Sequence, residues 1–254
     1  WDLFAKRNVE HFGEKQDVVI YLEDGMPLVQ GPIINGKKEG RFKLFGKDGK
    51  TTGELNFSNN ELEGIQKYYD DNGNLEAEKT FKAGKLNGKV TEYYTNGNIS
   101  SEENYKNDTL DGMSITYYVN GGKHCELNFT NGERNGSLTC YFENGTKNSE
   151  INFTNGKLNG KSIMYNEVGD ITLETNYVDD QLDGKYVQFF DGKVIKEEGN
   201  YSKGKVQGSY KTYYSNKNIE YSEIYTLLLS NYINILNLQH IKYQKYFLIH
   251  QHFV

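Results

Sequence analysis

The residues of this 254-residue chain that could do chemistry are few, and most of them stand in rows. The longest acidic row is Glu54, Glu78, Glu102, Glu126, Glu150, Glu174 and Glu198, one every 24 residues. Such a row can accept hydrogen bonds from neighbouring turns or amides, or it can offer a line of contacts to cations or to a basic partner. Repetition favours the first task, because catalysis needs one special place and not seven copies of the same one. The pairs Glu197-Glu198 and Asp179-Asp180 read as solvated charges. His11, His124, His240, His250 and His252 show no zinc-ligand spacing, and His250-Gln-His252 reads as incidental. There is no G-x-S-x-G elbow and no glycine-rich nucleotide loop with its lysine. The acidic turn Asp70-Asp71-Asn72 is a faint calcium candidate without the EF-hand pattern. The expectation is therefore no enzyme, no cofactor and no catalytic or metal site.

Cys125 and Cys140 carry more information. They are either two reduced, core-like thiols or a cross-strand disulfide. A disulfide would suit an envelope or secreted location.

The acidic row is one column of a longer pattern. Glycine recurs at Gly40, Gly64, Gly88, Gly112, Gly136, Gly160, Gly184 and Gly208. A fixed period of this length marks an array of small supersecondary units. Five residues after each glycine stands a ring, from Phe45 and Tyr69 to Phe189 and Tyr213. Seventeen residues after it stands another, from Phe57 and Phe81 to Tyr201 and Tyr225. Turn signals separate the two: Asn72-Gly73, Asn96-Gly97, Asn120-Gly121 and Asn144-Gly145. A second set, with Gly84, Gly132, Gly156 and Gly204, follows the second ring. Aromatic and β-branched residues bounded by Gly and Asn argue for strands. The fold class is thus all-β: an elongated single-layer antiparallel sheet of consecutive β-hairpins. Asn-Gly, with positive φ at both central residues, predicts a tight two-residue hairpin at the first turn. Centring the second turn on its midpoint predicts that each second ring faces the next period glycine, Phe129 against Gly136 and Phe153 against Gly160. That register also sets Cys125 across from Cys140. Strand alternation places the glutamates, joined by Asn56, Asn104, Asn128, Asn152, Asn176 and Asn200, on the face opposite the second rings.

The array extends over residues 16–225. Residues 1–15 form an N-terminal flank outside the pattern. The missing initiator Met suggests a mature or trimmed product. A degenerate unit begins near Gln16, with Tyr21 as its first ring, Gly25 in its turn and Ile33 in place of its second ring. In the Gly184 unit the turn glycine comes one residue early, at Gly192, and a bulge in the second strand is expected to restore the register at Tyr201. Residues 226–254 leave the pattern; they read as a cap over the sheet edge or as an accidental extension from a shifted reading frame. With 27 Gly, 21 Tyr, 13 Phe and 2 Pro, net charge −6 and mean hydropathy −0.78, the chain is too patterned for disorder and too polar for a membrane span. Its acidic balance argues against nucleic acid, whose nonspecific binding needs Lys and Arg.

The phrases Tyr93-Tyr94-Thr-Asn96-Gly97-Asn98 and Asn152-Phe153-Thr-Asn155-Gly156-Lys157-Leu158-Asn-Gly160 resemble MORN-type repeats, specifically the bacterial variant of the YwqK antitoxin-like family. The resemblance covers residues 16–225 and lacks the tryptophan usual in the eukaryotic repeats. It implies an elongated sheet of hairpins used as a scaffold, for protein contact and, in some cases, for lipid association. The function expected is a non-enzymatic repeat scaffold for protein–protein interaction. The alternatives are an antitoxin that neutralises a toxic partner and a bacterial cell-envelope protein associated with a membrane surface. Candidate partner-binding residues are the exposed members of the ring pairs, Tyr94, Tyr118, Phe142, Phe190 and Tyr214. Tyrosine suits an interface because it is both apolar and polar. Open sheet edges also favour self-association.

Overall fold

Each 24-residue unit folds as two strands joined by one turn and passed on by another, and the two turns differ in kind. The computed structural model describes residues 16–21, 25 and 27–225. Over these residues nine consecutive antiparallel hairpins, from Gln16–Tyr21 with Pro27–Ile34 to Lys205–Tyr213 with Ile219–Tyr225, hydrogen-bond into one sheet that does not close into a barrel. The degenerate first unit keeps the array's register, with Gln16 opposite Ile33. Residues 1–15 and 226–254 lie outside the described residues, and with them the flank and tail.

The two-residue hairpin sits at the second turn, not at the first. Ser58 pairs with Glu61 across Asn59 and Asn60, whose φ values are 54° and 72°. Ala83-Gly84, Asn131-Gly132 and Asp179-Asp180 share this doubly positive backbone, which marks the type I′ turn that matches strand twist. At the first turn only the glycine is positive: Gly97 has φ 85° and its N–H donates to the Tyr94 carbonyl. That is a type I turn closed by a left-handed glycine. It leaves a bulge at position 12 of each unit, seen where Thr116 pairs with Cys125 but Tyr117 with Lys123. The Gly184 unit has the same bulge, between the pairs Gln188–Glu197 and Phe189–Ile195. No extra residue is absorbed there; Lys193, with φ 66°, takes the left-handed place that glycine holds in most units.

The period glycine is corrected in the same way. It faces the second ring of its own unit, across the first turn: Gly112 with Phe129 and Gly136 with Phe153. Phe129 meets Arg134, not Gly136, on its other side. The glycine instead occupies a two-residue bulge after the type I′ turn. Between the pairs Phe57–Leu62 and Glu54–Lys67 one strand advances three residues and the other five. That bulge needs φ of 125° at Gly88 and 117° at Gly112, a region that side-chain-bearing residues avoid. A Cβ at position 88 would also lie 3.0 Å from Thr80 Cγ2. Gly88→Ala is expected to lose about 1–3 kcal/mol, read as a lowered denaturant midpoint; an unchanged midpoint would show that the bulge relaxes without strain.

The bulges leave backbone groups that side chains satisfy. Asn56, Asn104 and Asn152 donate from Nδ2 to the carbonyls of Ile65, Met113 and Lys161 at 2.6–2.8 Å. Gln66, fully buried, donates to the carbonyls of Glu63 and Gly64 at 3.1 and 3.0 Å. A buried polar side chain is stable there because its hydrogen bonds are made. Most of the buried apolar residues, among them Val29, Phe42, Ala77, Val90, Leu127 and Phe153, lie on the face of the second rings, called here the ring face. The opposite, carboxylate face carries the acidic row.

Candidate functional site

The acidic row folds into a ladder of ion pairs and phenol contacts. Tyr117, Tyr141 and Tyr165 are first rings of their units, and each donates its hydroxyl to the glutamate 15 residues earlier: Glu102 at 3.1 Å, Glu126 at 2.9 Å and Glu150 at 2.7 Å. Lys89 lies 2.5 Å from Glu102, Lys123 lies 2.6 Å from Glu126, and Lys147 pairs with Glu150. The expected structural role therefore falls to phenols and ammonium groups, where turns and amides were the expected donors. Lys89, Lys123 and Lys147 respectively hold these three carboxyls below the usual range, aided by the phenols. Burial, reinforced by the glutamate contact, raises the tyrosine hydroxyls, Tyr165 to about 12. Burial and the Glu103 hydrogen bond likewise raise Tyr105, on the ring face, to about 12.

These shifts set the pH dependence of stability. A carboxyl lowered in the folded state stabilises it above its unfolded value of 4.5, and that contribution disappears as pH falls through the folded value. A tyrosine raised in the folded state stabilises it fully below 10, and that contribution is lost as pH rises from 10 toward 12. Thermal melts should plateau between about pH 5 and pH 10 and fall on both sides. Tyr141→Phe with Tyr165→Phe should flatten the alkaline fall, and an alkaline limb unchanged in that variant would contradict the assignment.

The five candidate partner-binding residues form a column along the first-turn edge. Four are half-buried and only Tyr214, 52% exposed, stands clear. Tyr94 and Tyr118 donate their hydroxyls to the carbonyls of Tyr117 and Tyr141 at 2.6 and 2.7 Å. They fasten one unit to the next, because a residue at the start of the turn overlies the neighbouring unit. His124 lies against Tyr118 in a tilted contact, with ring centroids 4.6 Å apart and planes at 45°. His11, His240, His250 and His252 lie outside the described residues. Cys125 and Cys140 are opposed in register and joined, with Sγ atoms 2.14 Å and Cα atoms 4.1 Å apart.

Asp70 spends its carboxylate locally, accepting from the N–H groups of Asn72 and Asn74 and from Asn74 Nδ2. The Asn74 contacts hold its carboxyl below the ordinary value. Among the described residues no three His, Cys, Asp or Glu side chains converge as metal ligands, and no helix is long and apolar enough to cross a membrane. Asp180 accepts from the Leu158 N–H at 2.7 Å, so the Asp179-Asp180 turn is tied to the preceding one. Glu197 and Glu198 do not form a solvated pair. Alternation sends them to opposite faces, both half-buried, where Glu197 accepts from Tyr210 and Glu198 from Tyr213.

The ring face differs from end to end. At the N-terminal end Val18, Ile20, Val29, Ile33, Phe42, Leu44, Leu55 and Phe57 line an apolar cavity of about 70 Å³. At the C-terminal end the same columns carry Tyr186, Glu197, Tyr201, Tyr210, Tyr221, Glu223 and Tyr225. Sequence reasoning passed over this second patch because it followed the columns that repeat. The available signal was the departure: Glu223 stands where Leu127 and Ile151 stand in other units.

A chain of stacked hairpins, each bonded to its neighbours through turns and side chains, is a repeat protein of the solenoid type. Residues 62–83, 86–107 and 134–155, about a quarter of the chain, match the MORN repeat variant family, each match spanning one hairpin between two type I′ turns. These three matches support a MORN-type repeat protein. No curated protein matches it.

Proposed function

We propose that this protein is a non-enzymatic scaffold that binds a protein partner along the ring face. One observation carries the reading: among the described residues no second layer covers that face. Sheets normally bury one face against another element. Here the sheet runs through nine hairpins, roughly 80 Å at ordinary strand spacing, with its rings and aliphatic side chains packed within the one layer, and Lys38 and Arg134 over the rings of Phe57 and Phe153. Met164 on the ring face is 42% exposed, and Met113 on the carboxylate face is 43% exposed. A photo-crosslinker in place of each, in the full chain, should capture one stoichiometric protein partner from position 164 and none from position 113. Equal capture from both faces, or none from either, would overturn the reading. The antitoxin reading is its narrower form, in which that partner is a toxin of a bacterial host.

A second reading concerns location. The Cys125–Cys140 bond favours an oxidising compartment, hence a cell envelope or a secreted setting. Thiol labelling of denatured, unreduced protein from its native host should find no free cysteine at these positions; two labelled thiols would return the protein to a reducing compartment.

A further inference from the structure

The carboxylates at the C-terminal end of the ring face lack what most of the acidic row has. Glu102, Glu126 and Glu150 each carry a lysine partner. Among the described residues no lysine or arginine pairs with Glu197 or Glu223. Their contacts are tyrosine hydroxyls, from Tyr210 to Glu197 and from Tyr221 to Glu223. The rings around them make a surface. Tyr210 and Tyr221 have centroids 6.5 Å apart, Tyr210 and Tyr225 6.3 Å, and Tyr186 and Tyr201 5.6 Å. Gly199 lies in register between Tyr186 and Tyr210, and a Cβ there would come 2.9 Å from Tyr210 Cδ2. The Tyr210 ring therefore covers the bare backbone of Gly199, and it stands between Glu197 and Glu223. Glu223 is exposed, and the Tyr221 hydroxyl holds its carboxyl below the ordinary value, so it stands there as a charged group; a cation delivered there gains both charge and ring contacts.

We propose that this tyrosine–glutamate patch binds arginine side chains of a partner polypeptide. The inference rests on the scaffold reading and names the partner's chemistry. Arginine fits better than a compact ammonium because its planar guanidinium stacks on tyrosine faces while its fork engages a carboxylate. Glu197 and Glu223 stand on strands two spacings apart and two residues out of line, so about 12 Å separates them. Four residues of an extended chain span about 13 Å and bring the side chain back to the same face, so an Arg-x-x-x-Arg segment can reach both.

The test uses the full chain and short fluorescent peptides that carry Arg-Ser-Gly-Ser-Arg, its citrulline counterpart or its lysine counterpart. The arginine peptide should bind, more weakly as salt rises, with the citrulline peptide at least about tenfold weaker and the lysine peptide weaker than arginine. Glu197→Gln with Glu223→Gln should weaken arginine binding at least about tenfold, and Glu126→Gln, on the other face, less than about twofold. Equal loss in Glu126→Gln would reduce the effect to overall acidity, and equal binding of citrulline or lysine would remove the guanidinium assignment. Should the double variant fail to fold, tyrosine ring NMR on the unaltered chain decides. Shifts at Tyr186, Tyr210 and Tyr221 on adding the arginine peptide support the site; shifts confined to Tyr117 and Tyr141 overturn it. A chain that ignores the arginine peptide yet crosslinks one partner through position 164 keeps the scaffold and loses the arginine site. A chain that does neither loses both.

Discussion

Phe42→Ala should destabilise the N-terminal end of the array by about 3–5 kcal/mol, the usual loss for an aromatic removed from a core. Phe42 is 4% exposed, meets Phe57 edge-on at 5.1 Å, and lies so close over Gly31 that a Cβ there would fall 2.3 Å from its ring. The neighbouring cavity of about 70 Å³ leaves little to collapse into the space vacated. Repeat units couple only to their neighbours, so hydrogen exchange should lose protection around residues 16–62 and keep it beyond Gly112. Gly31→Ala forces the ring aside and should lose less, about 1–3 kcal/mol. The comparison is Ile65→Ala, since Ile65 is 51% exposed. If Phe42→Ala lowers the urea midpoint no more than Ile65→Ala does, the ring is not a core residue.

Reducing the Cys125–Cys140 bond should lower unfolding stability by about 3 kcal/mol, the value for a closed loop of this length. The two cysteines are 15 residues apart, and the bridge joins the Gly112 and Gly136 units across their shared second turn. The loss should appear as a lower urea midpoint on adding reductant, with exchange protection falling between Thr116 and Ser149. Cys125→Ala with Cys140→Ala should show the lowered midpoint in either condition. A midpoint that ignores reductant in the unaltered protein would mean that the flanking ladder already confines the two strands.

The repeat made much of the fold legible. Glycine and ring columns 24 residues apart imply hairpins, and alternation alone separates Glu126 from Phe129 onto opposite faces. The turns were less legible. Asn-Gly suits type I′, yet the first loop is long enough for a type I turn with a left-handed glycine, and the two-residue loop fell to pairs such as Asn59-Asn60 and Asp179-Asp180. Loop length chose between them, and it is measured only once the strands are paired. The same cause misplaced the period glycine, because a bulge changes which residues face each other without changing the sequence period.

By itself the sequence determined the class of fold, the register of the first unit at Gln16 and the opposition of Cys125 and Cys140, since all of these follow from periodicity and strand alternation. The tertiary structure decided the rest. It turned the acidic row into a ladder of tyrosine and lysine contacts and used Tyr94 and Tyr118 to bind unit to unit. It also gathered Glu197, Tyr210 and Glu223 into one patch that has no lysine or arginine partner among the described residues. Those outcomes depend on contacts between neighbouring units, where side chains 13 to 26 residues apart come within reach only when the sheet brings their strands together.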